Sequence, residues 1–158
     1  VPILGNWQSN TRYKAKFMFD MLNKLPDNKV LYVDSDAIIH KHPTLLMNID
    51  CDIAVRWQDF RWRKNECLSG TIYMDNNQAT RELCKKWQNM NELEGHETTR
   101  FEQWNLGDVK MKKMGNIKDQ NLPPEYTFIF DSMKKIYPNV DPVIEHFQVS
   151  RKLKNKVQ

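Results

Sequence analysis

Lys29-Val-Leu-Tyr-Val-Asp34-Ser-Asp36-Ala-Ile-Ile39 is the stretch whose reading decides the fold. It starts as a short apolar run rich in β-branched and aromatic residues, the composition of a strand buried in a largely parallel sheet. Two carboxylates, Asp34 and Asp36, stand near its carboxyl end, the edge of an open α/β sheet where ligands bind. Side chains two apart along a strand point the same way. Two like charges held that close repel, and one resists ionising unless a cation joins them. Oxygen ligands suit Mg²⁺ or Mn²⁺. The pattern suggests a divalent-metal site with a phosphate on its far side. Turn and cap residues are the plain alternative, and the rest of the chain has to choose.

Working back from this strand, Tyr13, Phe17, Met21 and Leu25 recur at four-residue spacing, with Met18 and Leu22 beside them. That spacing predicts one apolar helix face. The helix is expected to follow a loop over residues 5–11, with Asn10 or Thr11 as its cap, and to stop at Pro26-Asp27-Asn28. Val1 to Leu4 suggests a strand stub. Lys16 is expected on the surface. Lys14, nearer the loop, is placed to reach an anion at the helix N-terminus. Helix, turn and buried strand make half of a βαβ unit.

Working forward, His40 and His42 flank Lys41 before Pro43 and are expected as exposed loop residues rather than metal ligands. Asp50 and Asp52 precede the apolar run of the next strand, so they lie at its far end from the site and serve as turn residues. The basic, aromatic stretch from Trp57 to Lys64 is expected as a loop that either stacks on a base or sugar or meets a membrane surface. Leu68 to Met74 predicts a strand, opened by Ser69-Gly70, where a bare backbone lets a ligand approach. A helix carries Leu83, Trp87 and Met90 on one face. A polar loop over residues 93–99 leads to another helix from about Phe101, with Glu102 and Gln103 in its first turn. Pro123-Pro124 then sets an extended turn. Val143-Ile144 leads to His146, with Arg151 and Lys152 close behind as a diphosphate would require.

With 158 residues the chain favours one domain, spanning 1–158. At this size a core can bury roughly 70% of the unfolded surface without staples. No apolar run approaches the ~18 residues needed to span a bilayer, and no secretory signal is visible. The net charge of +4 fits an anionic ligand or a membrane surface and requires neither. Nucleic-acid binders carry a denser basic stripe, so nucleic acid is not an expected partner. Cys51, Cys67 and Cys84 are odd in number and form neither a zinc nor a disulfide pattern, which points to reduced thiols in a cytoplasmic protein.

Taken in order, these stretches resemble the nucleotide-sugar glycosyltransferases of the GT-A type. Val30 to Ile39 looks like their strand and Asp-x-Asp metal motif. Leu68-Ser69-Gly70-Thr71 resembles the strand bordering the sugar, and Glu102-Gln103-Trp-Asn the acidic-Gln segment near the acceptor. Leu122-Pro123-Pro124-Glu125-Tyr126 resembles a structural turn of these enzymes. Val143 to Phe147 resembles the strand carrying a third metal ligand, His146. In glycogenin-like and galactinol-synthase-like relatives a diphosphate-binding lysine follows that histidine by six residues, the spacing of Lys152; Val149 stands where those relatives have Gly.

The resemblance implies an α/β, Rossmann-like GT-A fold, compact or N-terminally shortened, because most of the first βαβ unit that usually meets the base has no counterpart before Val1. It implies a metal-dependent transferase moving a sugar from a nucleotide diphosphate, with a UDP-sugar the first choice, to a carbohydrate, lipid or protein acceptor, and with retention. Asp34, Asp36 and His146 would hold Mn²⁺ or Mg²⁺. Asn10, Lys14, Asp34, Ser69, Gly70, Arg151 and Lys152 would meet the donor, and Glu102 and Gln103 the reacting centre or the acceptor. Two other readings use the same residues. A metal-dependent phosphohydrolase or nuclease would want a further acidic cluster. A non-catalytic carbohydrate- or nucleotide-binding remnant would bind without turnover.

Overall fold

The computed structural model describes residues 7–60, 63–93, 101–111 and 117–148. The expected stub at residues 1–4, the polar loop at 94–99, Arg61 and Trp62, and Arg151 and Lys152 lie outside them. The first helix, α1, runs from Trp7 to Lys24, so it starts earlier than expected. Asn10 and Thr11 lie inside it, and Thr11 Oγ1 donates back to Gln8 O at 3.0 Å instead of capping. The deepest stripe is Ala15, Met18 and Leu22, each fully buried, whereas Leu25 is exposed. The core face is therefore rotated from the 13/17/21/25 row, because α1 packs against the helix Gln78–Leu93 (below, α3) as well as the sheet. Past its end, Asn76 Nδ2 donates to Leu22 O and Leu25 O at 2.6 and 2.7 Å, satisfying carbonyls that the helix leaves open.

Strand β1 (Val30–Val33) follows, then β2 (Ala37–Ile39), the short helix α2 (Thr44–Asn48), β3 (Ile53–Phe60) and β4 (Arg63–Met74). Beyond α3 come α4 (Glu102–Met111), β5 (Asp119–Asn121), a 3₁₀ turn at Pro124–Tyr126, β6 (Phe128–Ile129), α5 (Phe130–Met133) and β7 (Ile144–His146). The larger sheet has the order β1-β4-β3-β5 and the smaller one β2-β7-β6. The larger sheet is not largely parallel. β4 runs against both β1 and β3, and only β3 and β5 pair in parallel. The cause is local: Trp57 to Lys64, expected as a loop, is the closing end of a β3–β4 hairpin, whose return strand must be antiparallel. β1, β3 and β5 still share one direction, so their carboxyl ends meet at one edge.

Both faces of the large sheet are covered, which explains the continuous apolar runs. Ile53, Val55, Ile72 and Met74 point to α1, α3 and α4 and pack with Leu22, Leu83, Trp87 and Leu106. The alternate residues Ala54 and Tyr73 point the other way, to Leu46, Leu122, Tyr126 and Ile144. Asp52 accepts Lys118 N and Asn77 Nδ2, both at 2.6 Å, at the amino end of β3, as its position before the apolar run predicts. The three cysteines are buried and none is in a disulfide. Among the described residues no helix is long and apolar enough to cross a membrane.

Candidate metal centre

The chain leaves β1 at Val33 and turns before β2. Asp34 N donates to Gly70 O at 2.9 Å, Ala37 N to Asp34 O at 3.1 Å, and Phe147 N to Asp36 O at 3.3 Å. The two aspartates thus sit on a turn pinned to β4 on one side and to β7 on the other, rather than on a strand. Pairing of Ala37 with His146 brings the histidine from late in the chain to this turn. Ligand atoms of Asp34, Asp36 and His146 all lie within 4.8 Å of one another, with the aspartates half-buried and the histidine buried. Gly70 lies close beside them. A Cβ on Gly70 would stand 3.0 Å from His146 Cε1, 3.2 Å from His146 Nδ1 and 3.3 Å from Asp34 Oδ2.

His146 Nε2 lies 2.8 Å from Thr71 Oγ1. The tautomer protonated at Nε2 donates there and keeps the Nδ1 lone pair for an ion. Burial lowers the histidine pKa, and Lys14 adds to this; Asp34 and Asp36 pull the other way without prevailing. The ring is therefore held neutral, the form that ligates metal.

Lys14 occupies the heart of the site. Its Nζ lies 3.0 Å from Asp34 Oδ1 and 2.8 Å from Glu102 Oε1, and donates also to Ser69 O at 3.0 Å and Ser69 Oγ at 3.2 Å. Ser69 Oγ donates to Glu102 Oε1 at 2.6 Å. Burial opposes the charge on Lys14, but Glu102 and Asp34 outweigh it and hold the ammonium far above the ordinary lysine pKa. Tyr32, beneath the lysine, donates its hydroxyl to Asp34 Oδ1 at 2.8 Å. Burial, above all, keeps that phenol protonated.

Asp34, Asp36 and Glu102 bring three negative charges against the single positive charge of Lys14, beside a neutral imidazole. One divalent cation cancels the difference. An all-oxygen pair plus one imidazole is a donor set for Mn²⁺ or Mg²⁺. The residues present fit such an ion.

The sequence-level candidates fall into three groups. Asp34, Asp36, His146, Lys14, Ser69, Gly70 and Glu102 converge. Asn10 is exposed on α1, one turn before Lys14, and Gln103 turns its amide to Glu66 Oε1 at 2.6 Å. Arg151 and Lys152 lie outside the described residues. Lys14 binds carboxylates rather than standing open to an anion. Glu102 is more than a helix-dipole residue, being 5% exposed and ion-paired. Tyr32 and Thr71 escaped notice. Tyr32 is two residues before Asp34, and that spacing alone could have found it. His40 stays out of the cluster and pairs with Glu145 Oε2 at 2.8 Å, exposed as expected.

A family model described as nucleotide-diphospho-sugar transferase matches residues 7–158. A search of curated protein sequences finds no match. Among solved structures, the chain is similar to a glycosyltransferase involved in the glycosylation of the major capsid of PBCV-1, at TM-score 0.69 and 15% identity, over 100% of this chain and 81% of that one. It is similar to the glycosyltransferase GlyE of Streptococcus pneumoniae TIGR4 at TM-score 0.61 and 19% identity, over 83% of this chain and 36% of that one. It is also similar to the galactosyltransferase LgtC, solved with donor and acceptor sugar analogues, at TM-score 0.57 and 13% identity, over 84% of this chain and 57% of that one.

Proposed function

Because the chain belongs to the nucleotide-diphospho-sugar transferase family and has the GT-A fold of glycosyltransferases, we propose that it is a metal-dependent glycosyltransferase whose single domain moves a sugar from a UDP-sugar to a hydroxylated acceptor with retention. The observation that carries the reading is the convergence of Asp34, Asp36 and His146 beside the buried Lys14–Glu102 pair.

Asp34, Asp36 and His146 would hold Mn²⁺ or Mg²⁺. When bound, such an ion supplies Lewis-acid stabilisation of the charge that gathers on the leaving diphosphate. Gly70 keeps the wall of the site flat so that the donor can approach its backbone. Lys14 neutralises Asp34 and fixes Glu102, and Glu102, aimed by Ser69 Oγ, offers a carboxylate to a developing oxocarbenium centre or an acceptor hydroxyl. Asn10 lies a turn from Lys14 on the same side of α1 and would border the donor. Arg151 and Lys152 would add positive charge at the diphosphate. Retention is supported by the His146–Lys152 spacing.

The test is a thermal-shift panel of nucleotide sugars with and without Mn²⁺, followed by turnover of any donor that binds. One donor should stabilise the wild type only with metal present. Asp36→Asn and His146→Ala should fold, lose that response and lose turnover. Unchanged turnover in either variant would sink the assignment.

A further inference from the structure

Two residues of the metal cluster each keep one polar atom bonded to the protein and turn the other to a shared hollow. His146 Nε2 is taken by Thr71 Oγ1 at 2.8 Å. Asp34 Oδ1 receives two donors, the Tyr32 hydroxyl at 2.8 Å and the Lys14 ammonium at 3.0 Å. Among the described residues nothing donates to Asp34 Oδ2, and that oxygen is not sealed from solvent. Oδ2 lies 3.3 Å, and His146 Nδ1 3.2 Å, from the point where a Cβ on Gly70 would stand. The two uncommitted atoms therefore border the same space, over the bare backbone of Gly70.

The two donors on Oδ1 are themselves held in place. Lys14 is tied to Ser69 O and Glu102 Oε1. The Tyr32 ring meets Phe17 edge-on at 6.3 Å and lies under Lys14 Nζ at 4.9 Å. These contacts belong to the ring, whereas the hydroxyl donates to Asp34. A carboxylate oxygen offers two lone pairs, so two donors fill it. A cation could reach Oδ1 only by displacing one of them, while Oδ2 needs no such exchange. The difference bears on which ion fits. Mg²⁺ and Mn²⁺ favour near-octahedral sets that take a single oxygen from a carboxylate. Ca²⁺ takes about six to eight ligands and often grips both oxygens of one group.

We infer that Tyr32 is a positioning residue that, with Lys14, occupies Asp34 Oδ1 so that Oδ2 alone faces the cation, and that this one-oxygen offer makes the site discriminate against Ca²⁺. The inference rests on the metal reading above.

The experiment titrates the metal-stripped protein with MnCl₂ and with CaCl₂ by calorimetry, in the wild type and in Tyr32→Phe. Phenylalanine keeps the ring with its contacts to Phe17 and Lys14 and removes the hydroxyl. The Kd for Mn²⁺ should rise about tenfold or more, the Kd for Ca²⁺ should hold or fall, and the Tm of the metal-free protein should barely move. An unchanged Mn²⁺ affinity, or equal losses for both ions, would make the hydroxyl a strut for β1 and overturn the inference. Should the variant not fold, a crystal structure of the Mn²⁺-loaded wild type decides. An ion on Oδ2 with Tyr32 still bonded to Oδ1 upholds the inference, and an ion on Oδ1 overturns it. A wild type that binds neither ion removes the metal reading as well, which tells that failure from one confined to Tyr32.

Discussion

Lys14 Nζ lies 2.8 Å from Glu102 Oε1 with both side chains almost sealed from solvent. A buried ammonium survives only with its counter-charges, and removing one partner strands the other. Lys14→Met should therefore cost about 3–5 kcal/mol of unfolding free energy. Lys14→Met/Glu102→Gln should recover part of that loss, since the stranded carboxylate is gone. Urea titrations of the single and double variants check this, and losses that simply add would show the pair to be uncoupled.

A methyl group at Gly70 would crowd the candidate metal centre. With Asp34 Oδ2 and two atoms of His146 all within 3.3 Å of the new Cβ, Gly70→Ala should force the imidazole or the carboxylate aside. Overpacking of this kind costs about 1–3 kcal/mol. The larger effect should fall on the metal response, measured as the Mn²⁺-dependent shift in Tm. A variant that keeps the full shift would place the ion elsewhere.

Stripping divalent ions with a chelator should lower the Tm of the wild type, and readding Mn²⁺ should restore it. At a metal concentration of 100 times Kd the stabilisation is about 2.7 kcal/mol. The same treatment should leave His146→Ala unmoved. A wild type indifferent to the chelator would leave three like-charged carboxylates facing one lysine without explanation.

The cysteines make a prediction about pH. Burial pushes the Cys84 thiol up to about 12 and Cys51 up to about 11. Both folded values lie above that of an unfolded thiol, about 8.5. Their contribution to stability is full below pH ~8.5 and is lost as the pH rises towards the folded values, because the unfolded chain releases those protons first. The native protein should resist iodoacetamide at pH 8 and react at all three thiols once unfolded. Rapid alkylation of the folded chain would contradict the burial.

The three residues that converge in the candidate metal centre were legible because each carries a local mark: a β-rich run ending in Asp34 and Asp36, and a β-branched pair leading to His146. Their partners were not. Lys14 looks like any helix lysine until Ser69 and Glu102, far along the chain, close around it. Strand direction also escaped, because a hairpin closing in Trp57, Arg63 and Lys64 has the composition of a surface loop, and the antiparallel return of β4 is decided by that turn. The buried face of α1 was misread by part of a turn, since the 13/17/21/25 row and the 15/18/22 row are both apolar and only packing on α3 selects between them.

His146 reaches the aspartates only through the antiparallel pairing of β7 with β2. During synthesis the ribosome delivers Asp34 and Asp36 early and their third companion after nearly every other described element. Until β7 docks, the two carboxylates share the turn without their imidazole, so a half-made chain lacks the complete three-residue cluster. The assembled cluster is thus a product of the last docking step, and proteolysis that removes β7 would dismantle it while leaving the strand pairings of the large sheet in place.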